Sequence, residues 1–231
     1  MPPLSILPMI DQKQLINEVA EDQYWIIITD GGRADFYEQI IRESEVLSLD
    51  EYQRAYNSGV AFTANWFAEM FNDQYNAWMF HGGQPIYSFK TNEYNYDERE
   101  HFEEVPGYEK YNWGCDIGDT SDPESVVDIV LNSNAKSGVI RFIQPHNPYL
   151  GMPISSEQDA KRYTPEKLAE HYNMTYRYII PSLNRLIDHL DGKIIITSDH
   201  GQCLGDCDQY LHSPSHDLHE HLTDVPWHVV S

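Results

Sequence analysis

The sequence predicts an α/β fold: a three-layer α/β/α sandwich with a mostly parallel central sheet. Three short apolar runs, rich in Ile and Val, are typical of strands buried on both faces of a parallel sheet. They comprise residues 24–29, 138–143 and 194–197. Segments with helical periodicity lie between these runs, and each run ends abruptly in polar residues. Strands that alternate with helices in this way indicate a sheet covered by helices on both faces.

Apolar residues at helical spacing and capping residues near their starts define the helices. The predicted helices are residues 11–21, 34–44, 64–71, 123–131 and 164–190, and Pro181 is expected to kink the last one. Further strands are expected near residues 77–80 and 225–230. We expect residues 1–231 to form a single domain with an irregular insertion at about 82–120. A long insertion in a compact domain tends to cover a substrate site.

The chain is strongly acidic, because 37 Asp and Glu against 15 Lys and Arg give a formal net charge of −22. This charge argues against nucleic acid or an anionic membrane as a partner, since phosphate binding requires basic residues. Concentrated salt screens such self-repulsion, so we expect a halophilic protein. No basic leader and no run near the ~20 apolar residues of a membrane span is found, which favours a cytoplasmic location.

The three cysteines are an odd number and do not suggest a disulfide framework. Cys203 and Cys207 are close in sequence, but a structural zinc site requires about four ligands in a recognisable spacing. We therefore interpret both as ordinary thiols.

Groups suited to a metal ion follow two of the three buried strands. Asp30 ends the first one, and Asp199-His200-Gly201 follows residues 194–197. Ligands of open α/β sheets collect at the carboxyl ends of strands. A carboxylate beside an imidazole can bind one divalent cation, although the same tripeptide is equally consistent with a simple turn.

Three further polar residues lie at comparable positions. Thr63 stands before a predicted helix, where its hydroxyl can cap free amides or where the helix end can stabilise an anion. His146 follows the third buried strand, and His212 lies downstream of the Asp-His pair. His216 competes with His212 for the role of the downstream imidazole.

The ordered set of these segments resembles the alkaline phosphatase/sulfatase superfamily. The matching segments are WIIITDGGRADFY (25–37), SGVAFTANWFAEMF (58–71), GVIRFIQPHNPYLG (138–151), IIITSDHGQCLGD (194–206), YLH (210–212) and DVPWHVV (224–230). They cover nearly the whole chain, so the resemblance implies an alkaline-phosphatase-like fold.

The resemblance also implies roles for individual residues. Asp30, Asp199 and His200 would be metal ligands. Thr63 would be both a metal ligand and the nucleophile, as in the lipoteichoic acid synthase branch. One divalent ion per chain is expected, with Mn or Ca favoured and Zn possible.

The two remaining imidazoles, His146 and His212, would contact the anionic substrate or protonate the leaving group. The implied activity is a metal-dependent hydrolase or transferase of phosphate or sulfate esters with a covalent threonine intermediate. A catalytically inactive binding protein and a phosphosugar mutase-type phosphotransferase are the alternatives.

Departures from the superfamily's motifs refine this hypothesis. The formylglycine motif C/S-x-P-S-R of the sulfatases is absent around Thr63. Two-zinc members carry an Asp with a His four residues on after the third strand, whereas only His146 stands there, which favours one metal. Asp97 and His101 have that spacing but lie in the insertion.

Several other charged residues receive structural interpretations. Arg33 and Asp35 are expected to form an ion pair that positions the turn after the first strand. The remaining histidines are expected to be mostly loop or surface groups, namely His81, His171, His189, His216, His219, His221 and His228.

The substrate is expected to be a small or glycan-linked anionic ester. Few cations besides Arg33 and Arg141 lie near the proposed site, and residues 87–113 supply many Tyr and Asn side chains that suit a sugar. The alternative is that these tyrosines only pack the insertion against the domain. The sequence makes no prediction of oligomeric state.

Overall fold

The computed structural model describes residues 9–19, 23–44, 47, 50–83, 86, 89–90, 95–106, 113–115, 117–213 and 218–230. The strands are β1 (Ile10–Asp11), β2 (Tyr24–Asp30), β3 (Tyr52–Tyr56), β4 (Tyr75–His81), β5 (Phe89–Lys90), β6 (Asn95–Tyr96), β7 (Phe102–Glu104), β8 (Trp113–Cys115), β9 (Gly118–Ser121), β10 (Gly138–Pro145), β11 (Lys193–Ser198), β12 (Cys203–Leu204), β13 (Tyr210–Leu211) and β14 (Asp224–Val229). The helices are α1 (Gln12–Val19), α2 (Ala34–Glu43), α3 (Thr63–Met70), α4 (Pro123–Leu131), α5 (Glu157–Ala160), α6 (Pro165–Tyr178), α7 (Ile180–Ile187) and α8 (Glu220–Thr223).

The central sheet has eight strands in the order β1-β3-β14-β11-β2-β10-β4-β7. Strand β14 is antiparallel to both of its neighbours, and all other pairs are parallel. The three buried runs recognised in the sequence are the adjacent strands β11, β2 and β10. The prediction of a mostly parallel sheet is therefore confirmed.

Helices cover both faces of this sheet, and β2 shows how the sequence assigns them. Trp25 and Ile27 pack into the cluster formed with α2, α4, α6 and α7. Ile26 and Ile28 face the opposite cluster, which contains the apolar residues of α1 and α3. All three isoleucines are fully buried, and each contributes about 1.5–3 kcal/mol by leaving water. The predicted three-layer sandwich is confirmed.

The long helix expected over residues 164–190 is divided into α6 and α7 at Ile179. Pro181 lies in the first turn of α7, where a missing amide hydrogen costs nothing. The amide of Leu183 donates to the carbonyl of Ile179 at 3.0 Å, which starts the second helix. The kink expected at Pro181 is therefore a break between two helices.

The predicted insertion contributes to the sheet, because β7 lies parallel to β4 and forms the edge opposite β1. The pairs β5/β6 and β8/β9 are separate antiparallel ladders. A single turn of 3₁₀ helix, Glu98–Glu100, precedes β7. The single-domain boundary over residues 1–231 stays a prediction, since several of its segments lie outside the described residues. In the described part of the chain, no helix has the length and apolar character required to cross a membrane.

The interpretation of Cys203 and Cys207 as free thiols is wrong, because the structure joins them in a disulfide. Their Cα atoms are 6.3 Å apart, since the chain reverses between β12 and β13. Gly205 has φ +84° in this reversal, a conformation that L residues with a side chain rarely adopt.

Candidate metal centre and histidine pair

Asp30, Asp199 and His200 converge because Asp30 ends β2 and the other two follow β11, the adjacent parallel strand, at the same level. Ser198 of β11 is in register with Thr29 of β2. The three following side chains each offer one ligand atom, and these atoms lie within 4.8 Å of one another. All three side chains are buried. Two carboxylates and an imidazole in a buried site require a compensating charge, so the cluster is suited to a cation.

Asp199 is held so that one of its oxygens faces the cluster. Its Oδ1 accepts the amide hydrogens of Gly31 at 3.1 Å and of His200 at 2.9 Å. The backbone carbonyl of Asp199 accepts from the side-chain amide of Asn57 at 2.9 Å. Oδ2 accepts from the hydroxyl of Thr63 at 2.7 Å. Asp199 therefore presents Oδ2 as its candidate ligand atom.

His200 presents Nε2 to the cluster because its other ring nitrogen is occupied. Nδ1 lies 2.8 Å from the carbonyl oxygen of Gly201 and therefore donates its hydrogen. The lone pair of Nε2 then faces Asp199 Oδ2 at 3.5 Å and Asp30 Oδ1 at 3.7 Å. A backbone partner that fixes the tautomer of a histidine is typical of metal ligands.

Asp30 has one satisfied and one free oxygen. Oδ2 accepts from Nη2 of Arg141, whereas the buried Oδ1 has no hydrogen-bond partner within the described part of the chain. Burial alone would raise the pKa of Asp30, but the positive charge of Arg141, the foremost of the opposing causes, helps to hold that pKa well below its usual range. Asp30 is therefore an ionised carboxylate with a free buried oxygen, which fits a metal ion.

Thr63 is the first residue of α3, and its hydroxyl points at the cluster. The helix N-cap is Phe62, and no side chain caps the helix there, so the capping interpretation of the Thr63 hydroxyl is wrong. Thr63 Oγ1 donates to Asp199 Oδ2 and lies 3.4 Å from His200 Nε2. Thr63 is only partly buried, unlike the three residues of the cluster.

His146 and His212 form a second group beside the cluster. His146 directly follows β10 and His212 directly follows β13. The Nδ1 atoms lie 2.7 Å from the carbonyl of Asn147 and 3.0 Å from that of Ala61, so both donate. The two Nε2 atoms are 2.7 Å apart. The rings of His200 and His212 are 4.1 Å apart, which places the pair next to the metal candidates.

The geometry of this pair defines its protonation. Two Nε2 lone pairs would repel at 2.7 Å, so the arrangement requires one proton between His146 and His212. Burial is the largest cause that lowers the pKa of His212 well below its usual range. The pair borders a cavity of about 360 Å³ that is lined by His146, Asn147, Ser155, Ser156, Glu157, Tyr210, Leu211, His212 and Ser213.

The expected ion pair of Arg33 and Asp35 is confirmed, with Nη2 and Oδ2 separated by 2.7 Å. Arg33 also contacts Asp206 at 2.5 Å and thus ties the segment after His200 to the start of α2. His216 lies outside the described residues, so only His212 can be placed at the site.

The alternative ligands Asp97 and His101 lie apart from the cluster. Asp97 pairs with Arg99, and Nδ1 of His101 lies 2.9 Å from the backbone carbonyl of Asp73. Within the described ranges, Asp30, Asp199 and His200 are the one group of three or more such residues close enough to hold an ion.

Sequence reasoning missed a buried set of charged residues beside Asp30. His81 and His228 are buried, so their assignment to loops or the surface is wrong. His228 contacts Tyr37 in the core, but His81 lies between Arg141 and Glu98. His81 directly follows a predicted strand and precedes two glycines, which was the available signal. Nothing in the sequence indicates Glu98 as its partner.

No protein-family model and no curated protein matches this chain. Among solved structures, it is similar to the soluble domain of lipooligosaccharide phosphoethanolamine transferase A from Neisseria meningitidis, with a TM-score of 0.56 and 18% identity over 88% of this chain and 75% of that domain. The chain spans about half (47%) of the integral membrane form of that protein, with a TM-score of 0.54, 17% identity and 88% of this chain covered.

Two further structures show the same likeness. Phosphonate monoester hydrolase of Agrobacterium radiobacter has a TM-score of 0.56 and 12% identity over 90% of this chain and 68% of its own. The C-terminal periplasmic domain of EcEptC from Escherichia coli, in complex with Zn, has a TM-score of 0.54 and 10% identity over 89% of this chain and 72% of its own. The chain therefore has the fold of the alkaline phosphatase/sulfatase superfamily, as its motifs imply.

Proposed function

We propose that this protein is a metal-dependent hydrolase or transferase of phosphate or sulfate esters that acts through a covalent intermediate on Thr63. The observation that carries this proposal is the approach of the Thr63 hydroxyl to Asp199 Oδ2 and His200 Nε2, at 2.7 and 3.4 Å. The fold neighbours, named as transferases and as a phosphonate monoester hydrolase, support this class of reaction.

Four side chains would hold one divalent ion: Asp30 through Oδ1, Asp199 through Oδ2, His200 through Nε2 and Thr63 through Oγ1. Three oxygens and one nitrogen suit Mn²⁺, Ca²⁺ or Zn²⁺. When bound, such an ion favours ionisation of the threonine hydroxyl and stabilises negative charge on the transferring group.

Thr63 would attack the phosphorus or sulfur atom of the ester. Its hydrogen bond to Asp199 orients the hydroxyl oxygen, and its position at the start of α3 puts free helix amides beside it. Amides at a helix N-terminus stabilise an anion, which suits the charged group of either ester.

His146 and His212 would supply and recover the proton. With Thr63 already ionised and its proton released to solvent, its oxygen would form a bond to phosphorus or sulfur as the bond to the leaving ester oxygen breaks, and that leaving oxygen would take the proton held between the two Nε2 atoms. Water or an acceptor hydroxyl would then displace the Thr63 oxygen, and the proton lost by that water or hydroxyl would return to the pair. A hydrolase and a transferase differ only in which of these two acceptors reaches the intermediate.

The substrate proposal remains a small or glycan-linked anionic ester. The cavity beside the pair, at about 360 Å³, is in the size range of small-molecule sites. Ser155, Ser156 and Tyr210 line it with hydroxyl groups and one aromatic ring, which suit a sugar. The net charge of −22 opposes a long polyanion at low salt.

The test is turnover of aryl phosphate monoesters, phosphate diesters and sulfate esters with Mn²⁺, Zn²⁺, Mg²⁺ or Ca²⁺ in dilute buffer and in molar KCl. Thr63→Val keeps the side-chain shape but removes the hydroxyl, and Thr63→Ser keeps the hydroxyl. We expect turnover by the wild type, measurable turnover by the serine variant and none by the valine variant. Metal binding without turnover of any ester would instead establish a binding protein.

A further inference from the structure

We propose that Arg141, held by His81 and Glu98, is a positioning residue that limits Asp30 to one metal-facing oxygen. The consequence is discrimination against Ca²⁺ in favour of ions that accept fewer ligands. The inference rests on the metal site proposed above and extends it to three residues outside the ligand set.

The three residues form a continuous chain of hydrogen bonds that ends at Asp30. Arg141 lies on β10 and donates Nη2–H to Asp30 Oδ2. Its Nη1 lies 3.3 Å from His81 Nδ1, and His81 Nε2 lies 2.5 Å from Glu98 Oε2. His81 and Glu98 are fully buried, and the Arg141 side chain is 12% exposed.

The direction of each hydrogen bond follows from the chemistry of arginine. A guanidinium only donates, so His81 Nδ1 must accept from Arg141. The single hydrogen of a neutral His81 is then on Nε2 and is donated to Glu98. The second carboxylate oxygen of Glu98 accepts the amide hydrogen of Ile86 at 2.6 Å. Each carboxylate oxygen of Glu98 thus has a partner, which fixes its position and, through His81, that of the guanidinium.

The two glycines after β4 lie close to Arg141. A β-carbon at Gly82 would come within 2.8 Å of the Arg141 carbonyl oxygen, whereas one at Gly83 would lie at an ordinary contact distance of 3.4 Å from Nη1. The two glycines therefore allow the chain after β4 to pack closely against Arg141.

The ligand atoms left by this arrangement determine which ions fit. Arg141 occupies Asp30 Oδ2, and backbone amides occupy Asp199 Oδ1, so each carboxylate has one oxygen for the cluster. Ca²⁺ takes six to eight oxygens and often uses both oxygens of a carboxylate. Zn²⁺ is usually satisfied by four ligands at shorter distances. Removal of Arg141 would free Asp30 Oδ2 and favour Ca²⁺ selectively.

The experiment compares dissociation constants for Ca²⁺, Mn²⁺ and Zn²⁺, measured by equilibrium dialysis and elemental analysis of the whole chain. Arg141→Gln removes one positive charge, which strengthens binding of all divalent ions alike. The ratio of the Ca²⁺ constant to the Mn²⁺ or Zn²⁺ constant cancels this common effect. We expect that ratio to fall about 10-fold or more, in the range typical of residues that orient metal ligands.

Matched variants separate positioning from general damage to the fold. Glu98→Gln should lower the same ratio by a smaller factor, because His81 and Ile86 would share one acceptor. Glu100→Gln alters an exposed carboxylate of the same 3₁₀ turn and should leave the ratio unchanged. Arg141→Lys keeps the charge but cannot donate to His81 and Asp30 in one plane, so it should also lower the ratio. It replaces Arg141→Gln as the test variant if that protein does not fold.

If Asp30→Ala abolishes ion binding but folded Arg141→Gln or Arg141→Lys shows an unchanged ratio, this inference alone is overturned. Wild-type protein that binds none of the three ions would overturn the proposed metal site as well.

Discussion

The metal cluster and the histidine pair are neighbours, yet the protein holds them in different ways. Asp30 ends one core strand, Asp199 and His200 directly follow the next, and all three are at most 2% exposed. His146 and His212 lie on loops, are only partly buried and border a cavity. The first group therefore has fixed ligand atoms, whereas the second can adjust to a bound molecule.

The partners of the two groups sharpen this contrast. Asp30 Oδ2 accepts from the guanidinium of Arg141. Asp199 Oδ1 accepts from backbone amides at the carboxyl ends of the central strands. Apart from the contact between their own Nε2 atoms, the imidazoles of the pair are held through Nδ1 by carbonyl oxygens of loop residues. We infer that the cluster determines whether a cation binds, and that the pair acts on the leaving group.

The largest expected effect is loss of the bound metal, which should follow substitution in the cluster but not substitution in the histidine pair. Asp199→Ala should remove the bound ion and lower kcat at least about 10³-fold, because the attacking hydroxyl loses both its orienting partner and the ion. Elemental analysis and kinetics measure both effects. His212→Ala should keep the ion, and two stoichiometric zinc ions per chain in the wild type would contradict a one-metal site.

A smaller loss is expected from the histidine pair. His146→Ala should lower kcat by about 10²-fold for an ester with a basic leaving group, because general acid catalysis is lost. Esters of acidic phenols leave without a proton and should lose much less. The dependence of kcat on leaving-group pKa measures this difference, and equal losses for both kinds of ester would exclude proton donation by His146.

The depressed pKa of His212 makes the stability of the metal-free protein depend on pH. The unfolded chain binds a proton on this residue below about pH 6.5, whereas the folded protein keeps His212 neutral to lower pH. The free energy of unfolding should therefore fall as the pH drops from about 7 to about 5.

Urea unfolding at several pH values measures this slope. His212→Gln should make the decrease shallower, since the substituted side chain does not titrate. An unchanged slope in this variant would show that His212 does not contribute.

The smallest and most general effect concerns salt. The net charge of −22 should make the unfolding midpoint rise in molar KCl, where the Debye length falls to about 3 Å. The buried cluster is shielded from this screening, so the number of ions bound per chain should stay constant. Equal midpoints in dilute buffer and in molar KCl would contradict the expected salt adaptation.

Features encoded in continuous stretches could be predicted from the sequence. The Ile-rich runs of β2, β10 and β11 and their abrupt polar ends define the three central strands and the position of Asp30 and Asp199. Helix α1 was recognisable because Asp11 caps it, and its Oδ1 accepts from the Lys13 amide at 2.9 Å.

Features that depend on distant partners could not be predicted. Strand β3, with Gln53 and Arg54 at its centre, has a weak strand pattern and forms through its pairing with β14. The Arg141–Asp30 contact joins residues 111 positions apart, and the mutual approach of Cys203 and Cys207 requires the turn between β12 and β13.

The most direct test of the proposed mechanism is detection of a covalent intermediate on Thr63. Protein mixed with a turned-over ester is quenched in acid, digested and examined by mass spectrometry, with Thr63→Val as the control. We predict a phosphoryl- or sulfuryl-modified peptide that contains Thr63, with more of it in His212→Ala if the pair assists its breakdown. Turnover at the wild-type rate by Thr63→Val, with no modified peptide in the wild type, would contradict the mechanism.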